Sequence, residues 1–155
     1  MIVLGIDPGL AATGWAILEK NETLRLIDYG CWHTKSGDNI SRRLLALSRK
    51  MQKVIRQHRP KILAVEEIFF AKNAKSAIKV AQALGAIKLT AENAHLSAEE
   101  YTPLQIKTAM TGYGRAQKSQ VLFMVKQILG IKKTIKPDHA ADAVAAALTY
   151  LQIHY

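Results

Sequence analysis

The sequence contains one cysteine, Cys31, among its 155 residues. A single thiol excludes an internal disulfide and any zinc site built on several cysteines. A chain without disulfides is suited to a reducing compartment, so we expect a cytoplasmic protein. Cys31 lies in an apolar, aromatic stretch, and we expect a buried structural thiol there rather than a nucleophile.

Long hydrophobic runs are also missing. The longest, Ala143 to Leu151, is about half of the roughly 20 residues that cross a bilayer, and Thr149 interrupts it. The first apolar segment, residues 2–6, has no basic start and is followed at once by Asp7, so no secretory signal is predicted. The composition, 49% hydrophobic and 22% charged, is that of a folded globular protein, and we expect residues 1–155 to form one domain.

Acidic residues are scarce relative to basic ones. The chain has 12 Asp and Glu against 22 Lys and Arg, which gives a formal net charge of +10. Such an excess indicates a polyanionic partner, most often nucleic acid, although it can also serve solubility alone. A membrane surface is less favoured as the partner, because the basic residues are spread along the chain and do not form one tail.

Hydrophobic patterning predicts an α/β fold. Strands are predicted at residues 2–6, 13–19, 24–34 and 62–65. Helices are predicted before Pro60, at 73–93, from Thr102–Pro103 onward, at 117–129, and from Pro137–Asp138 to the C-terminus. Three antiparallel-type strands followed by alternating helices and strands predict a mixed sheet with helices on its faces.

Several carboxylates lie where the predicted strands end or the last predicted helix begins. Asp7 follows the first strand, Glu66 and Glu67 follow the fourth, and Asp138 and Asp142 open the last helix. Ends of neighbouring interior strands meet at one edge of an α/β sheet. Acids that converge there need a cation between them, either Lys, Arg or a divalent metal such as Mg²⁺ or Mn²⁺. A basic surface around an acidic, metal-binding cleft is what phosphodiester cleavage requires.

Each of these residues also has a purely structural interpretation. Asp7 could form a turn, and Asp138 could cap the last helix. Glu66 and Glu67 point to opposite faces of their strand, so at most one lies in the site, and local geometry does not choose between them. The Phe69–Phe70 pair fits core packing as well as stacking on an unpaired base.

Ordered motifs make the chain similar to a known family. They are Gly5-Ile-Asp-Pro-Gly9, Thr13-Gly14, the segment 64–73 (AVEEIFFAKN) and His139-Ala-Ala-Asp142. In this order and spacing, over nearly the whole chain, they resemble the RuvC family of bacterial Holliday-junction resolvases. The resemblance implies a ribonuclease H-like α/β fold, with a five-stranded mixed sheet flanked by helices on both faces. It also implies a homodimer that cuts four-way DNA junctions by symmetric paired nicks, with two Mg²⁺ or Mn²⁺ ions per site, and works beside a branch-migration complex of the RuvA and RuvB type.

Residue by residue, the resemblance implies that Asp7, Glu66, His139 and Asp142 are the catalytic metal ligands. Asp138 and Asp142 also share a helix face, so geometry alone leaves Asp138 open. The family spacing favours His139, with Asp138 as the helix cap. His139 would either ligate metal or shuttle a proton. The DNA-contacting positions that the resemblance implies are Phe69, Phe70, Lys107 and Lys118.

Three other functions compete with the resolvase. An ATPase of the actin and sugar-kinase type shares the Gly5–Gly9 loop pattern, but it needs a second domain for which 155 residues leave no room. A non-catalytic nucleic-acid-binding module of the same fold would use the basic surface and keep the acids for structure. A nuclease of the same fold that acts on RNA is the third alternative.

Overall fold

The computed structural model describes residues 1–67 and 74–155. The strands in this part of the chain are β1 Ile2–Asp7, β2 Ala12–Lys20, β3 Leu24–His33, β4 Ile62–Glu66 and β5 Ser97–Tyr101. The helices are α1 Ile40–His58, α2 Ala74–Asn93, α3 Pro103–Thr111, α4 Lys118–Leu129 and α5 Asp138–His154. None of these helices is both long and apolar enough to span a bilayer.

The strands form one mixed sheet in the order β3-β2-β1-β4-β5. β1 pairs antiparallel with β2, and β2 pairs antiparallel with β3. β4 lies parallel to β1, and β5 lies parallel to β4. The predicted five-stranded mixed sheet with helices on both faces is therefore confirmed.

The edge strand β5 is the element that hydrophobic patterning did not single out. Its sequence, SAEEY, has no apolar run. Its two faces nevertheless differ: Glu100 accepts a 2.6 Å bond from Lys88 of α2, while Tyr101 is buried and its hydroxyl donates to Glu99 at 2.7 Å. Because β5 has only β4 as a neighbour, polar residues along it keep contact with solvent, and its hydrophobic signal is weak.

Two hydrophobic layers cover the faces of the sheet. On one face, Leu47, Met51 and Val54 of α1 pack with residues of α2 and with one side of β1 and β4. On the other face, α5 is buried along most of its length and packs with α3 and α4. This central position of α5 decides which side chains at its first turn can reach the strand ends.

Glycine allows α5 to lie directly on the sheet. A Cβ on Gly5 of β1 would overlap the main-chain carbonyl of Ala143, and one on Gly14 of β2 would overlap that of His139. The two glycines therefore set the depth at which α5 packs. That depth brings the first turn of α5 against the end of β1, where Asp7 lies opposite Gly14.

Candidate active site

Two carboxylates meet at one edge of the sheet because their strands are parallel neighbours. β1 and β4 pair with Ile6 opposite Val65, and Asp7 and Glu66 are the next residues on each strand. Both residues are partly buried at this edge. The convergence expected from the strand ends is thus present. Glu67 follows β4 and is exposed, so Glu66 is the acid that enters the cleft.

The first turn of α5 adds an imidazole and a third carboxylate. His139 Nδ1 lies 2.7 Å from Asp7 Oδ2, and one ligand atom each of Asp7, His139 and Asp142 lie within 4.8 Å of one another. Asp142 in turn accepts a 2.7 Å bond from Lys118 Nζ. We call these three residues, together with Glu66, the acidic cluster.

Asp138 does not belong to the acidic cluster. It is the first residue of α5, it is exposed, and its carboxylate accepts a 2.8 Å bond from Lys136. The prediction that its side chain caps α5 is wrong, because Pro137 occupies the capping position and no side-chain capping bond is formed there. The structure therefore brings His139, and not Asp138, to Asp7.

Burial and mutual repulsion make the acidic cluster unfavourable without a cation. Burial raises the pKa of Asp7, and the nearby charge of Asp142 adds to this effect, while the bond from His139 opposes it. Burial and the charges of Asp7 and Asp142 raise the pKa of Glu66 to about 7. The fold thus holds two carboxylates, Asp7 and Glu66, where their ionised forms are costly, as sites that serve chemistry often do.

Two lysines enter the cleft beside the acids. Lys107 lies on α3 and Lys118 is the first residue of α4, and the charges of both lower the pKa of Glu66 against the effects above. Together with Glu66 and Asp142 they line an open cleft of about 270 Å³. Acids and lysines that face one cavity fit a phosphodiester: the acids for metal ions, the lysines for phosphate oxygens.

The donor set of the acidic cluster suits a divalent cation. Three carboxylates and one imidazole offer mainly oxygen ligands, which Mg²⁺ and Mn²⁺ prefer, and the nitrogen is better accepted by Mn²⁺. One ligand atom each of Asp7, His139 and Asp142 lies within 4.8 Å of the other two, so a single ion could contact all three residues. The 2.7 Å hydrogen bond between His139 Nδ1 and Asp7 Oδ2 would be replaced by metal contacts if Nδ1 became a ligand.

Sequence reasoning missed a set of hydroxyl contacts that fixes the loop after Asp7. The buried Thr13 hydroxyl donates to the carbonyl of Gly9, and Thr34 donates to the carbonyl of Leu10 at 2.6 Å. Arg43 Nε donates to Thr34 Oγ1 at 2.8 Å. The only signal was Thr13 in the Thr13-Gly14 motif, since long-range partners such as Thr34 leave no local pattern.

Two further expectations concern residues near the cleft. The expected DNA-contacting pair, Phe69 and Phe70, lies outside the described residues. Cys31 lies across β2 from Asp7 and is only half-buried, so the expectation of a buried thiol is wrong. Burial and the charge of Asp7 raise the pKa of this thiol, which disfavours the thiolate, as a structural role for Cys31 requires.

Glu66→Gln should make metal-free protein more stable at neutral pH. The folded pKa of Glu66, about 7, lies above its ordinary value of 4.5, so its contribution to stability is full below pH 4.5 and is lost as pH rises towards 7. A neutral amide avoids that loss, by at most about 3 kcal/mol. Urea unfolding in EDTA across this pH range measures it, and Glu22→Gln in an exposed turn is the control. Parallel pH profiles for wild type and Glu66→Gln would contradict the expected burial.

A family model and two relatives of this chain carry the same description. The family model "Crossover junction endodeoxyribonuclease RuvC" matches residues 3–150. A protein of that name from Caldicellulosiruptor saccharolyticus is 48% identical over 153 residues, which cover 97% of this chain and 92% of the relative. Another, from Halothermothrix orenii, is 46% identical, again covering 97% of this chain and 92% of the relative.

Solved structures agree with these relatives. T. thermophilus RuvC in complex with a Holliday junction substrate superposes with a TM-score of 0.92 at 35% identity, covering 99% of this chain and 96% of that one. The yeast mitochondrial Holliday junction resolvase Ydc2 superposes with a TM-score of 0.70 at 14% identity, covering 97% of this chain and 77% of that one. The second likeness concerns the fold alone.

Proposed function

Since the chain belongs to the RuvC family of crossover junction endodeoxyribonucleases, we propose that it resolves four-way DNA junctions in recombination and repair. Paired, symmetric nicks at the crossover are the expected reaction. The observation that carries this proposal is the approach of Asp7, His139 and Asp142 within 4.8 Å, beside lysines, in a chain of net charge +10. The junction-bound T. thermophilus relative supports the same substrate.

We propose that Asp7, Glu66, His139 and Asp142 hold two divalent ions, either Mg²⁺ or Mn²⁺. When bound, the ions supply an activated water and stabilise the charge on the departing oxygen. The buried ends of β1 and β4 hold Asp7 and Glu66 in fixed positions, so little reorganisation accompanies the reaction.

The lysines of the cleft are proposed to bind the scissile phosphate. Lys118 has 52% of its side chain exposed, so its ammonium can leave Asp142 for a phosphate oxygen without crossing a packed layer. Lys107 faces the same cavity from α3. Both lysines place positive charge where the negative charge of the transition state accumulates.

A homodimer is proposed on symmetry and on the surface of α2. Ile78 and Leu89 of α2 are 59% and 65% exposed, and the small residues Ala81 and Gly85 lie exposed on the same helix. An exposed apolar helix face supports packing against a second copy. Two-fold symmetry matches that of a four-way junction, so that two sites cut strands of like polarity. A branch-migration complex of the RuvA and RuvB type is the proposed further partner, and the cytoplasm the proposed location.

A nicking assay tests the proposed function. Wild-type protein is given a four-way junction with a mobile core or a linear duplex of the same sequence, in Mg²⁺, Mn²⁺ or EDTA. We expect paired, symmetric nicks in the junction alone, and only with metal. Junction binding without cutting in either metal would contradict the enzyme and favour a non-catalytic binding module of the same fold.

His139→Asp should change the choice of metal. An all-carboxylate site loses the nitrogen ligand that suits Mn²⁺, so the ratio of cutting rates in Mn²⁺ and Mg²⁺ should fall by about tenfold. His95→Asp, at an exposed position between α2 and β5, is the control and should keep the wild-type ratio. An unchanged ratio in His139→Asp would count against metal ligation and leave proton transfer as the role of His139.

A further inference from the structure

Helix α1 carries an unusual distribution of charge. Its 19 residues include no Asp or Glu. They include six Lys and Arg side chains, which are Arg42, Arg43, Arg49, Lys50, Lys53 and Arg56. The buried stripe of α1, formed by Leu47, Met51 and Val54, packs on the sheet, and none of these cations lies within it.

All six cations of α1 lie on one side of the helix. At 3.6 residues per turn they fall within one arc of about 140°, in which the other positions are Ala46 and Gln57. The opposite side is uncharged and faces α2: Ser48 Oγ lies 2.8 Å from Thr90 Oγ1, and Leu44 lines a groove with α2 residues. We call the charged side the basic flank.

Two of the six cations have hydrogen-bond partners among the described residues. Arg43 Nε donates to Thr34 Oγ1 at 2.8 Å, and Lys50 Nζ donates to the carbonyl of His33 at 2.7 Å. Within residues 1–67 and 74–155, no cation of the basic flank forms an ion pair with a carboxylate.

The other four cations, Arg42, Arg49, Lys53 and Arg56, form an exposed row along the basic flank. Lys53 lies four residues after Arg49 and three before Arg56, and like charges at these helical spacings destabilise a helix. The row therefore opposes folding unless an external anion neutralises it.

The row begins at the active-site edge of the sheet. α1 follows β3, whose last residue, His33, pairs with Ala12 of β2 at that edge. The contact from Arg43 through Thr34 to the carbonyl of Leu10 ties the start of α1 to the loop after Asp7. From there the helix leads away from the acidic cluster. A polyanion held in the cleft can thus continue along the basic flank without meeting an acidic residue on α1.

We propose that the basic flank of α1 is a second DNA-contact surface, which follows the phosphate backbone of a duplex arm as it leaves the cleft. The inference rests on the proposed function, since it takes the junction as substrate. From Arg42 to Arg56 the row extends about 21 Å, which corresponds to about six base pairs of duplex. Guanidinium groups bind phosphate oxygens in pairs, and such contacts position an arm without reading its sequence.

A membrane surface fits the basic flank poorly. Helices that lie on membranes insert large apolar side chains beside their cations. The arc of the basic flank contains no apolar side chain larger than that of Ala46. The exposed Leu45 lies at the edge of the arc, but it lines the groove between α1 and α2. Regularly spaced, separately exposed cations instead match the repeating charge of a nucleic-acid backbone.

The test compares two triple variants of equal charge change. Arg49→Gln/Lys53→Gln/Arg56→Gln alters the basic flank and keeps Arg43 and Lys50, which bond within the chain. The control is Lys20→Gln/Lys132→Gln/Lys133→Gln, at positions outside α1. Junction binding is measured by fluorescence anisotropy in EDTA over a series of salt concentrations, with arms long enough to pass α1 and with arms about six base pairs shorter.

For long arms, we expect the flank variant to lose about tenfold or more in affinity. Its slope of log K against log salt should fall by about 2 to 3, since each lost phosphate contact removes about 0.9. The control should change by less than about twofold, and short arms should show a much smaller difference. The melting temperature of the flank variant should not fall, because repulsion between the cations is removed.

Two outcomes would overturn the inference: equal losses for the flank variant and its control, or a loss that does not depend on arm length. Either outcome would mean that the basic flank binds another anionic partner or has no partner. The proposed function fails separately. If wild-type protein binds junctions but does not cut them with metal, the nuclease proposal falls while the binding comparison still decides the role of the flank.

Discussion

Asp7→Asn should reduce cutting of a four-way junction by about 10³-fold or more while junction binding persists. The side chain of Asp7 is only 16% exposed, and its carboxylate is hydrogen-bonded to His139. An amide removes one negative charge from the proposed metal site and leaves the shape of the cleft. Metal ions contribute several kcal/mol to phosphodiester cleavage, and each 1.36 kcal/mol is a tenfold change in rate.

The matched control for Asp7→Asn is Asp138→Asn. Asp138 opens the same helix that carries His139, but it is exposed and bonded to Lys136. We expect the Asp138→Asn variant to cut at close to the wild-type rate. Rates are measured with protein in excess over junction, so that weaker binding does not mimic slower chemistry. Cutting by Asp7→Asn at the wild-type rate would remove Asp7 from the mechanism, and a large loss in Asp138→Asn would reopen the choice between Asp138 and His139.

The stability of Asp7→Asn provides an independent readout. Burial raises the pKa of Asp7, so its ionised form is costly in the folded protein without metal. The variant should therefore unfold no more easily than wild type in EDTA. Loss of cutting together with intact folding and binding separates a catalytic role from a structural one.

Gly5→Ala should strongly destabilise the fold. Its Cβ would overlap the carbonyl of Ala143 and crowd the side chain of Ala147, so α5 must move away from β1. Main-chain atoms of a buried helix cannot rotate aside as a flexible side chain can. We expect a loss of about 3 kcal/mol in the free energy of unfolding. Because α5 carries His139 and Asp142, the same shift should separate them from Asp7 and reduce cutting.

Urea unfolding and junction cutting measure both effects of Gly5→Ala. Gly37→Ala is the control, since a Cβ at Gly37 meets no atom within 4 Å. It should stay within about 0.5 kcal/mol of wild type or be slightly more stable. Wild-type stability and cutting in Gly5→Ala would show that α5 does not pack directly on β1 in solution.

Much of the architecture could be predicted from local sequence. The strands at 2–6 and 62–65 are continuous apolar runs, and each is followed by an acid at the point where the structure ends the strand. Such runs are typical of interior strands, and an ionisable residue after one of them lies at the sheet edge. β5 was not predicted, because the local pattern of an edge strand with a polar sequence resembles that of a loop.

The members of the acidic cluster could be predicted, because the order of motifs indicated Asp7, Glu66, His139 and Asp142. Their distances from one another could not be predicted. The roles of these residues, and of the expected DNA-contacting residues Lys107, Lys118, Phe69 and Phe70, stay predictions. The structure adds geometry: it brings His139 to Asp7, turns Asp138 toward Lys136, and leaves Glu67 outside the cleft.

The sequence by itself determined the charge of the protein, its strands and helices apart from β5, and the motif order that indicates the family. Each of these depends on composition or on short-range periodicity. Tertiary structure alone decided where the basic flank lies relative to the cleft and how deeply α5 lies on Gly5 and Gly14. It therefore also decided which acids share a cleft. The packing depth of α5 and the distances between the acids depend on the strand order and on direct contact between main chains. Neither can be predicted from a local stretch of sequence.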